Sequence, residues 1–433
     1  MKRIYTILSC TLLGAMLLVG LISTFDFDET YSESERRKLR TTPLMTFSSL
    51  VDGSFFSDYE AYFADTFPGR EGLKQASTTL NGFYYFGGIA DEDEASLILD
   101  FSSNGASQGE ALQPERVEEE TLPEQTEPEF EPEQLGSVLL VGNRAFDVPY
   151  ANGDQIRRYA AAVTAIADTL GSGVRTYSMP VPNAAAFYTH EEYRTGAASQ
   201  PDMFDLCREN LGAGVTYVDA YSVLARHTEE YLYFSTDHHW TQLGAYYAYT
   251  AFCGAAGLTP VEREDFETGQ WEGFVGSMYT YAADYPQARV LKENPDTVHY
   301  WKPSVDYSCY FYSDTTLSDP YPIGVISAVG DNVTNKYLTF MGGDHPVTVV
   351  ETGLDGPCIL VIKESYGNAM ITWLTSHYSK IILIDPREYF SGNSDIDLAG
   401  FAQAQGVDQC LVVNYPMMLN SAGYIRHLEH LAQ

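Results

Sequence analysis

A short polar segment at residues 234–241 carries the residues with the clearest catalytic potential. It reads F-S-T-D-H-H-W-T and leads directly into the helix-forming run at 242–248. If the segment before the helix is extended, residues two apart point the same way, so Asp237 and His239 can face one site while His238 faces another. The carboxylate would then fix the tautomer of the imidazole and stabilise its cationic form. The other ring nitrogen could take a proton from a hydroxyl.

Simpler interpretations of this segment stay open at the level of sequence. Thr236 or Asp237 could cap the helix that follows, and adjacent histidines could be surface residues. Zinc binding by Asp237, His238 and His239 is a third alternative, although neighbouring residues on a strand cannot easily all reach one ion. The chain also has no H-E-x-x-H motif and no cysteine set with zinc spacing. We therefore predict no metal and no cofactor.

A serine at the end of an apolar strand is the second candidate. The segment 358–368 reads C-I-L-V-I-K-E-S-Y-G-N, which places Ser365 between a predicted strand and a predicted helix. A hydroxyl there lies at the carboxyl end of a sheet strand and beside a helix N-terminus, whose backbone N–H groups can stabilise an oxyanion. The alternative is that Ser365 only caps the helix. Trp240, Tyr366 and Asn368 are further candidates for contacts with a substrate or an oxyanion.

Two more predicted strands also end in polar residues. The run at 381–384 is followed by D-P-R-E-Y, and the run at 411–413 is followed by N-Y-P. Arg387 could orient a carboxylate or bind an anionic group of a substrate. Asn414 could donate a hydrogen bond to an oxyanion. A purely structural role is the alternative for each residue.

From residue 137 onward, apolar runs alternate with helical patterns and so predict the elements that position these residues. We predict strands at 138–141, 174–179, 215–218, 359–362, 381–384 and 411–413, and helices at about 154–170, 241–255, 366–378 and 418–430. This alternation implies an α/β fold with a mostly parallel sheet covered on both faces. Residues 260–356, rich in Tyr, Asp, Gly and Thr, interrupt it. They are predicted to be a β-rich or loop-rich insertion within a domain at 135–433.

The N-terminal third of the chain has a different character. Residues 4–25 contain no charge and follow Lys2 and Arg3, and as a helix they would span about 33 Å, enough for a bilayer core. We predict a membrane anchor or uncleaved signal at 1–25, with the main domain extracytoplasmic at the cell membrane. Residues 26–90 are predicted to be a helical segment joining the fold. Residues 91–134, rich in Glu, Pro, Ser and Gln, are predicted to be a disordered linker.

The formal net charge of the chain is −34. A surface of this sign repels nucleic acid, which is therefore excluded as a partner.

Several motifs together resemble the DHHW protein family, a relative of the alginate O-acetylation proteins within the SGNH-hydrolase-like superfamily. They are D-H-H-W-T-x-x-G-A-Y-x-A-Y at 237–249, K-E-S-Y-G-N at 363–368 and I-D-P-R-E-Y at 384–389. D-T-F-P-G-R at 65–70, P-V-P-N at 180–183 and G-F-V-G-S at 273–277 also fit. The resemblance covers almost the whole chain except the acidic linker.

The resemblance implies the three-layer fold of SGNH hydrolases with a permuted order of motifs, because the Asp-x-His pair precedes the serine. Carried over residue by residue, Asp237 is the orienter, His239 the base and Ser365 the nucleophile, and Trp240 closes the first motif. The interpretation predicts that His239 lies within roughly 4 Å of Ser365. Many relatives have Gly-Asp-Ser where this chain has Lys-Glu-Ser at 363–365, so the backbone before the nucleophile is expected to differ.

Three functions are compatible with these motifs. The first is an O-acetyltransferase that acts on a cell-surface or exported polysaccharide and receives its acyl group with the help of a multi-span membrane acyltransferase. The second is a carbohydrate esterase with the same Ser-His-Asp site, where water replaces the sugar. The third is a non-catalytic envelope protein that binds carbohydrate, favoured by Glu364 and by the 32 tyrosines that could stack on sugars. We rank the transferase first.

Overall fold

The computed structural model describes residues 31–32, 37–38, 62, 127–330 and 333–433. The chain divides into two units, Met1–Leu112 and Gln113–Gln433. In the first unit, strands β1 (Tyr31–Ser32) and β2 (Arg37–Lys38) pair antiparallel. The predicted membrane segment at 1–25, and most of the segments predicted at 26–90 and 91–134, lie outside the described residues. Within the described ranges, no helix combines the length and the apolar character that crossing a bilayer requires.

Strands and helices alternate through the second unit. Its described strands are β3 (Pro132–Leu135), β4 (Val138–Val141), β5 (Arg144–Phe146), β6 (Arg175–Pro180), β7 (Val215–Tyr217), β8 (Thr268–Phe274), β9 (Asp296–Trp301), β10 (Tyr307–Tyr312), β11 (Tyr321–Pro322), β12 (Val347–Thr352), β13 (Cys358–Lys363), β14 (Lys380–Ile384) and β15 (Val407–Asn414). Its described α-helices are α1 (Gly153–Leu170), α2 (Ala185–Tyr188), α3 (Gln200–Asn210), α4 (Ala220–Leu224), α5 (Gln242–Ala256), α6 (Ser277–Tyr281), α7 (Arg289–Glu293), α8 (Ile371–Leu374), α9 (Pro386–Gly392), α10 (Leu398–Gln405), α11 (Pro416–Asn420) and α12 (Ala422–Leu431).

An eight-stranded sheet forms the centre of this unit, in the order β11-β10-β12-β14-β13-β15-β6-β7. The strands from β14 to β7 run parallel, and β12, β10 and β11 continue the sheet antiparallel at one edge. Every residue of β13 is buried, as expected for a parallel strand that is covered on both faces. The prediction of an α/β fold with a mostly parallel sheet is confirmed.

The two faces of the sheet carry separate apolar layers because side chains alternate along each strand. Ile359 and Val361 of β13 belong to a cluster that includes Phe252 of α5. Leu360 and Ile362 belong to a second cluster, which includes residues of α1, α3 and α12. Helices thus cover the sheet on both sides.

Two predictions about the start of the second unit are wrong. The strand at 138–141 does not join the central sheet but pairs with β3 and β5 in a separate three-stranded antiparallel sheet. The linker predicted at 91–134 also extends too far, since its last residues form β3. Glu133 and Gln134 of that strand are exposed while Leu135 is buried. The polar composition of these strand residues resembles that of a linker, although their backbone pairs with β4.

The insertion predicted at 260–356 is also corrected. Its strands β10, β11 and β12 belong to the central sheet, and β8 and β9 pair with each other. The apolar run of β12 is short and is interrupted by Thr348, so it did not stand out among the polar residues around it. This segment is therefore part of the fold that surrounds the carboxyl end of β13.

Two predicted helices differ in detail from the observed ones. The helix predicted at 366–378 begins as a 3₁₀-helix, Ser365–Met370, and continues as the short α8. The helix predicted at 418–430 is divided into α11 and α12, and Ser421 caps the second of these.

A pair of deletions tests the corrected boundary of the linker. Removing residues 95–126 should leave the thermal unfolding midpoint of the protein nearly unchanged, because their composition offers little apolar surface to bury. Removing residues 95–135 should lower the midpoint by several degrees, because it also deletes β3 and the buried Leu135. Equal midpoints for the two variants, measured by calorimetry, would contradict a structural role for β3.

Candidate active site

The loop between α4 and α5 is bent into a compact shape just before α5 begins. An isolated bridge joins Tyr233 and Trp240, and residues 235–239 form bends between them. The hydroxyl of Thr241 accepts a hydrogen bond from the backbone N–H of Gly244 at 3.2 Å, so Thr241 is the residue that caps α5. Thr236 and Asp237 therefore do not cap α5.

Asp237, His239 and Ser365 form a continuous hydrogen-bonded series. The Nδ1 of His239 lies 2.6 Å from Oδ1 of Asp237, and its Nε2 lies 2.8 Å from Oγ of Ser365. The first contact orients the imidazole, and the second brings a nitrogen base within reach of the serine hydroxyl. The separation is well inside the 4 Å expected from the sequence. This geometry suits removal of a proton from the serine by the imidazole.

Four hydrogen-bond donors surround the buried Asp237 carboxylate. Its Oδ1 also accepts from the backbone N–H of His239 at 3.1 Å, and its Oδ2 accepts from the backbone N–H and the hydroxyl of Ser277 at 2.8 and 2.9 Å. Burial acts to raise the pKa of Asp237, but the nearby His239 and His238 and the Ser277 N–H together hold it well below its usual value. Asp237 is therefore an ionised hydrogen-bond acceptor at neutral pH.

The approach of Ser277 to Asp237 depends on a glycine. A Cβ on Gly276 would lie 2.2 Å from the Cβ of Asp237 and 2.5 Å from its Oδ2. Residue 276 therefore has to lack a side chain for the 276–277 backbone to reach the carboxylate. The motif G-F-V-G-S at 273–277, which the sequence offered only as part of a resemblance, has a defined structural role here.

A second buried carboxylate fixes the backbone just before Asp237. Asp296, at the start of β9, accepts hydrogen bonds from the N–H groups of Ser235 and Thr236 at 2.9 and 2.7 Å. It also accepts from the hydroxyls of Thr236 and Tyr231. Because Asp296 belongs to the segment predicted as an insertion, sequence reasoning did not connect it with the site.

Tyr337 contacts both the imidazole and the serine backbone. Its ring stacks on that of His239, with centroids 3.8 Å apart and planes 11° from parallel. Its hydroxyl donates to the carbonyl oxygen of Ser365 at 3.0 Å. One side chain from the 3₁₀-helix Lys336–Thr339 thus links the two motifs. No local signal in the sequence marked it.

Glu364 lies between the end of β13 and Ser365. Its Oε2 caps the 3₁₀-helix by accepting from the Tyr366 N–H at 2.9 Å, and its Oε1 accepts from the Tyr415 N–H at 3.1 Å. Burial raises the pKa of this carboxyl above its ordinary value. Glu364, and not Ser365, therefore caps the 3₁₀-helix. The Ser365 hydroxyl is 2.8 Å from Nε2 of His239 and 3.3 Å from Oε2 of Glu364, so it lies closer to the imidazole.

A cluster of paired charges lies beside the serine turn. The Nζ of Lys363 is 2.8 Å from Asp344 and 3.5 Å from Asp385, and Nη2 of Arg387 is 2.8 Å from Asp344 and 2.7 Å from Asp385. Burial acts to raise the pKa of Asp344, but Lys363 and Arg387 keep it below its usual range. Arg387 is therefore engaged in holding this cluster together, which favours the structural alternative for this residue.

Burial and internal hydrogen bonds favour a structural role for the other residues predicted to contact a substrate or an oxyanion. Asn414 is fully buried, with its amide donating to Tyr424 at 2.7 Å and its oxygen accepting from Tyr159 at 2.9 Å. Trp240 is fully buried and donates to the Tyr366 carbonyl at 2.9 Å, and Tyr366 is itself fully buried. The amide of the buried Asn368 donates to Asp344 at 2.8 Å. These four residues support the site from inside the fold.

His238 does not face the opposite direction, contrary to the prediction from i, i+2 spacing. Its ring lies beside that of His239, with centroids 3.8 Å apart, and its Nδ1 is 2.6 Å from Oγ of Ser277. The expectation of alternation failed because the segment bends and is not extended. Burial and the neighbouring His239 lower the pKa of His238 to about 3.

The same three residues also form the arrangement that a metal site requires. Asp237, His238 and His239 each offer a ligand atom, and these atoms lie within 4.8 Å of one another. However, both nitrogens of His239, both oxygens of Asp237 and the Nδ1 of His238 take part in hydrogen bonds within the site. The hydrogen-bonded arrangement therefore favours proton transfer over metal binding.

Asp147, just beyond β5, is a further titratable group that the sequence did not reveal. Its charge would act on Asp237, Tyr366 and Tyr415, and its Oδ1 accepts from the amide of Asn183 at 3.0 Å. Burial raises the pKa of Asp147 to about 8. The residue that follows the small antiparallel sheet thus contributes a carboxyl with a raised pKa to the surroundings of the site.

The structure thus combines a mixed α/β fold with Asp237, His239 and Ser365 in a hydrogen-bonded series. The DHHW family model, described as "DHHW protein", matches residues 35–92 and 109–384. The chain belongs to the DHHW family.

Several solved structures are similar to this chain in fold. A DHHW family protein from Eubacterium siraeum is 30% identical, with a TM-score of 0.60, over 69% of this chain and 96% of that one. PatB1 of Bacillus cereus is 17% identical, with a TM-score of 0.52, over 66% of this chain and 98% of that one. PatB1 with a sulfonyl adduct has a TM-score of 0.53 at 18% identity, over 68% of this chain and 98% of that one. No curated protein sequence matches the chain significantly.

Substituting Gly276 tests the geometry of the carboxylate site. In Gly276→Ala the added methyl group forces Asp237 or the 276–277 backbone to move. We expect the rate at which a sulfonyl fluoride labels Ser365 to fall on the order of 100-fold, since a displacement of about 1 Å can have that effect. Gly254→Ala is the matched control, because a Cβ on this exposed helical glycine meets nothing within 4 Å. Equal labelling rates in both variants would contradict the role of Gly276.

The raised pKa of Asp147 predicts a pH-dependent stability. The folded state holds this proton up to about pH 8, whereas an unfolded aspartate releases it near pH 4. The stabilisation is therefore present at low pH and lost as the pH rises through 8. Between pH 6 and 9 the wild type should lose about 2 to 3 kcal/mol more unfolding free energy than Asp147→Asn, because this range covers about two pKa units below the folded value; urea denaturation measures the difference. Parallel losses in the two proteins would show that Asp147 ionises normally.

Proposed function

We propose that this protein is an extracytoplasmic O-acyltransferase that transfers an acetyl group to hydroxyls of a cell-surface or exported polysaccharide. The observation that carries the proposal is the position of His239, with one nitrogen 2.8 Å from Ser365 Oγ and the other 2.6 Å from Asp237. Membership of the DHHW family supports it, because the sequence motifs of that family resemble those of polysaccharide O-acetylation proteins.

In the first half of the reaction, Ser365 receives the acyl group from an ester or thioester donor. The hydroxyl proton of Ser365 moves to Nε2 of His239 while Oγ bonds to the acyl carbon. The alcohol or thiol of the donor then leaves and takes up that proton. The ionised Asp237 stabilises the imidazolium that forms between these two steps, as in other serine, histidine and aspartate sites.

The second half of the reaction uses the same nitrogen of His239. A hydroxyl of the acceptor gives its proton to Nε2 while its oxygen bonds to the acyl carbon. The bond between this carbon and Oγ of Ser365 breaks, and Oγ takes the proton back from His239. The products are an acetylated sugar and the original form of the protein.

The proposal includes a location and a partner. We infer that residues 1–25 anchor the protein in the cell membrane, since residues 4–25 are uncharged and long enough to span it. The acidic net charge of −34 keeps the rest of the protein from binding anionic lipid tightly. A multi-span membrane acyltransferase that brings acyl groups outward would supply the donor.

Replacing the three residues one at a time tests whether the site is catalytic. Full-length protein should release acetate from p-nitrophenyl acetate, and Ser365→Ala and His239→Ala should each lower kcat by about 10⁴-fold or more, because the members of such a site act as a unit. Asp237→Asn should lower it by about 10³- to 10⁴-fold through loss of the correct tautomer. The exposed Ser391→Ala and His299→Asn are matched controls that should retain the rate.

Product analysis separates the proposed function from its alternatives. With oligosaccharides added, a transferase should form acetylated sugar detectable by mass spectrometry, whereas an esterase releases only acetate. A folded wild-type protein that yields neither product, and whose Ser365 resists sulfonyl fluoride labelling, would leave the non-catalytic carbohydrate-binding protein as the better interpretation.

A further inference from the structure

The hydroxyl of Ser277 has two polar neighbours but only one proton. It lies 2.9 Å from Oδ2 of Asp237 and 2.6 Å from Nδ1 of His238. An ionised carboxylate can only accept hydrogen bonds, so the Ser277 proton must be directed to Asp237. The oxygen of Ser277 is then left to accept a hydrogen bond from His238.

This assignment fixes the tautomer of His238. Nδ1 must carry the proton that it donates to Ser277. The ring is neutral at ordinary pH because burial and the adjacent His239 lower its pKa. A neutral imidazole has a single N–H, so Nε2 of His238 carries a lone pair and accepts hydrogen bonds.

The Nε2 of His238 is available to a ligand. Among the described residues, none forms a hydrogen bond with this atom, and 17% of the His238 side chain is exposed. The ring centroid lies 3.8 Å from that of His239 and 5.8 Å from the partly exposed Tyr415. An acceptor that reaches Nε2 of His239 with one hydroxyl can therefore reach His238 with the next.

We propose that His238 is an acceptor-binding residue, whose Nε2 accepts a hydrogen bond from a hydroxyl adjacent to the one that is acylated. The preferred acceptor is then a vicinal diol, the arrangement that most sugar rings offer. Ser277 links the two histidines, because it hydrogen-bonds to His238 and also to Asp237, the residue that orients His239. This inference rests on the proposed function and specifies the substrate class of the same site.

A matched pair of small alcohols measures this preference. The acceptors are cis-1,2-cyclohexanediol and cyclohexanol, and the measured quantity is the ratio of kcat/KM for acetyl transfer to each from p-nitrophenyl acetate. For the full-length wild type we expect kcat/KM to be about tenfold higher for the diol, because one additional hydrogen bond contributes roughly that factor. Most of the difference should be in KM. Since the ratio compares two acceptors on one protein, changes in the serine acylation step cancel.

Two substitutions at residue 238 separate the two ring nitrogens. Asn places its amide where Nδ1 was and offers nothing at the position of Nε2, whereas Gln can place its oxygen near the position of Nε2. His238→Asn should lower the ratio to the statistical value set by two equivalent hydroxyls, and His238→Gln should restore part of the preference. The exposed His299→Asn should keep the wild-type ratio.

The outcomes distinguish this inference from the proposed function. If the wild type acetylates neither alcohol, transfer itself fails and the inference fails with it. If the wild type acetylates both alcohols equally, or if His238→Asn keeps the preference for the diol, transfer stands and the role of His238 is refuted.

Discussion

The buried carboxylate of Asp237 is the constraint on which the rest of the site depends. An ion removed from water needs hydrogen bonds to nearly all of its lone pairs. Here the donors come from His239, two residues away, and from Ser277, forty residues away. Satisfying this one group therefore fixes the bend at 235–239, the backbone at the start of α6 and the orientation of the imidazole that meets Ser365.

Another buried carboxyl, that of Glu364, positions the serine. Glu364 directly follows the fully buried strand β13 and accepts hydrogen bonds from two backbone N–H groups, which fixes the segment that carries Ser365. Burial raises the pKa of Glu364. The neighbouring Lys363 forms ion pairs with Asp344 and Asp385 instead. The Lys-Glu-Ser sequence is thus compatible with a serine held close to its base.

Most of this support comes from the part of the chain between the two motifs. Ser277 and Asp296 hold the aspartate loop, Tyr337 joins His239 to the Ser365 backbone, and Asp344 pairs with Lys363. The segment predicted as an insertion is therefore the structure that brings the Asp-His loop onto the end of β13. The Asp-x-His pair can lie before the serine in the chain because these contacts, and not sequence proximity, set the geometry.

The sequence by itself determined the features that follow from local pattern. Asp237, His239 and Ser365 lie where apolar runs give way to polar turns, and the runs themselves predicted the parallel strands β6, β13, β14 and β15. Only the tertiary structure decided the place of β4 and β12, the direction of His238, and the burial that makes Asn414 and Trp240 internal supports. The physical reason is that a strand is marked by its own residues, whereas the donors that a buried carboxylate needs are defined only by which groups lie near it in space.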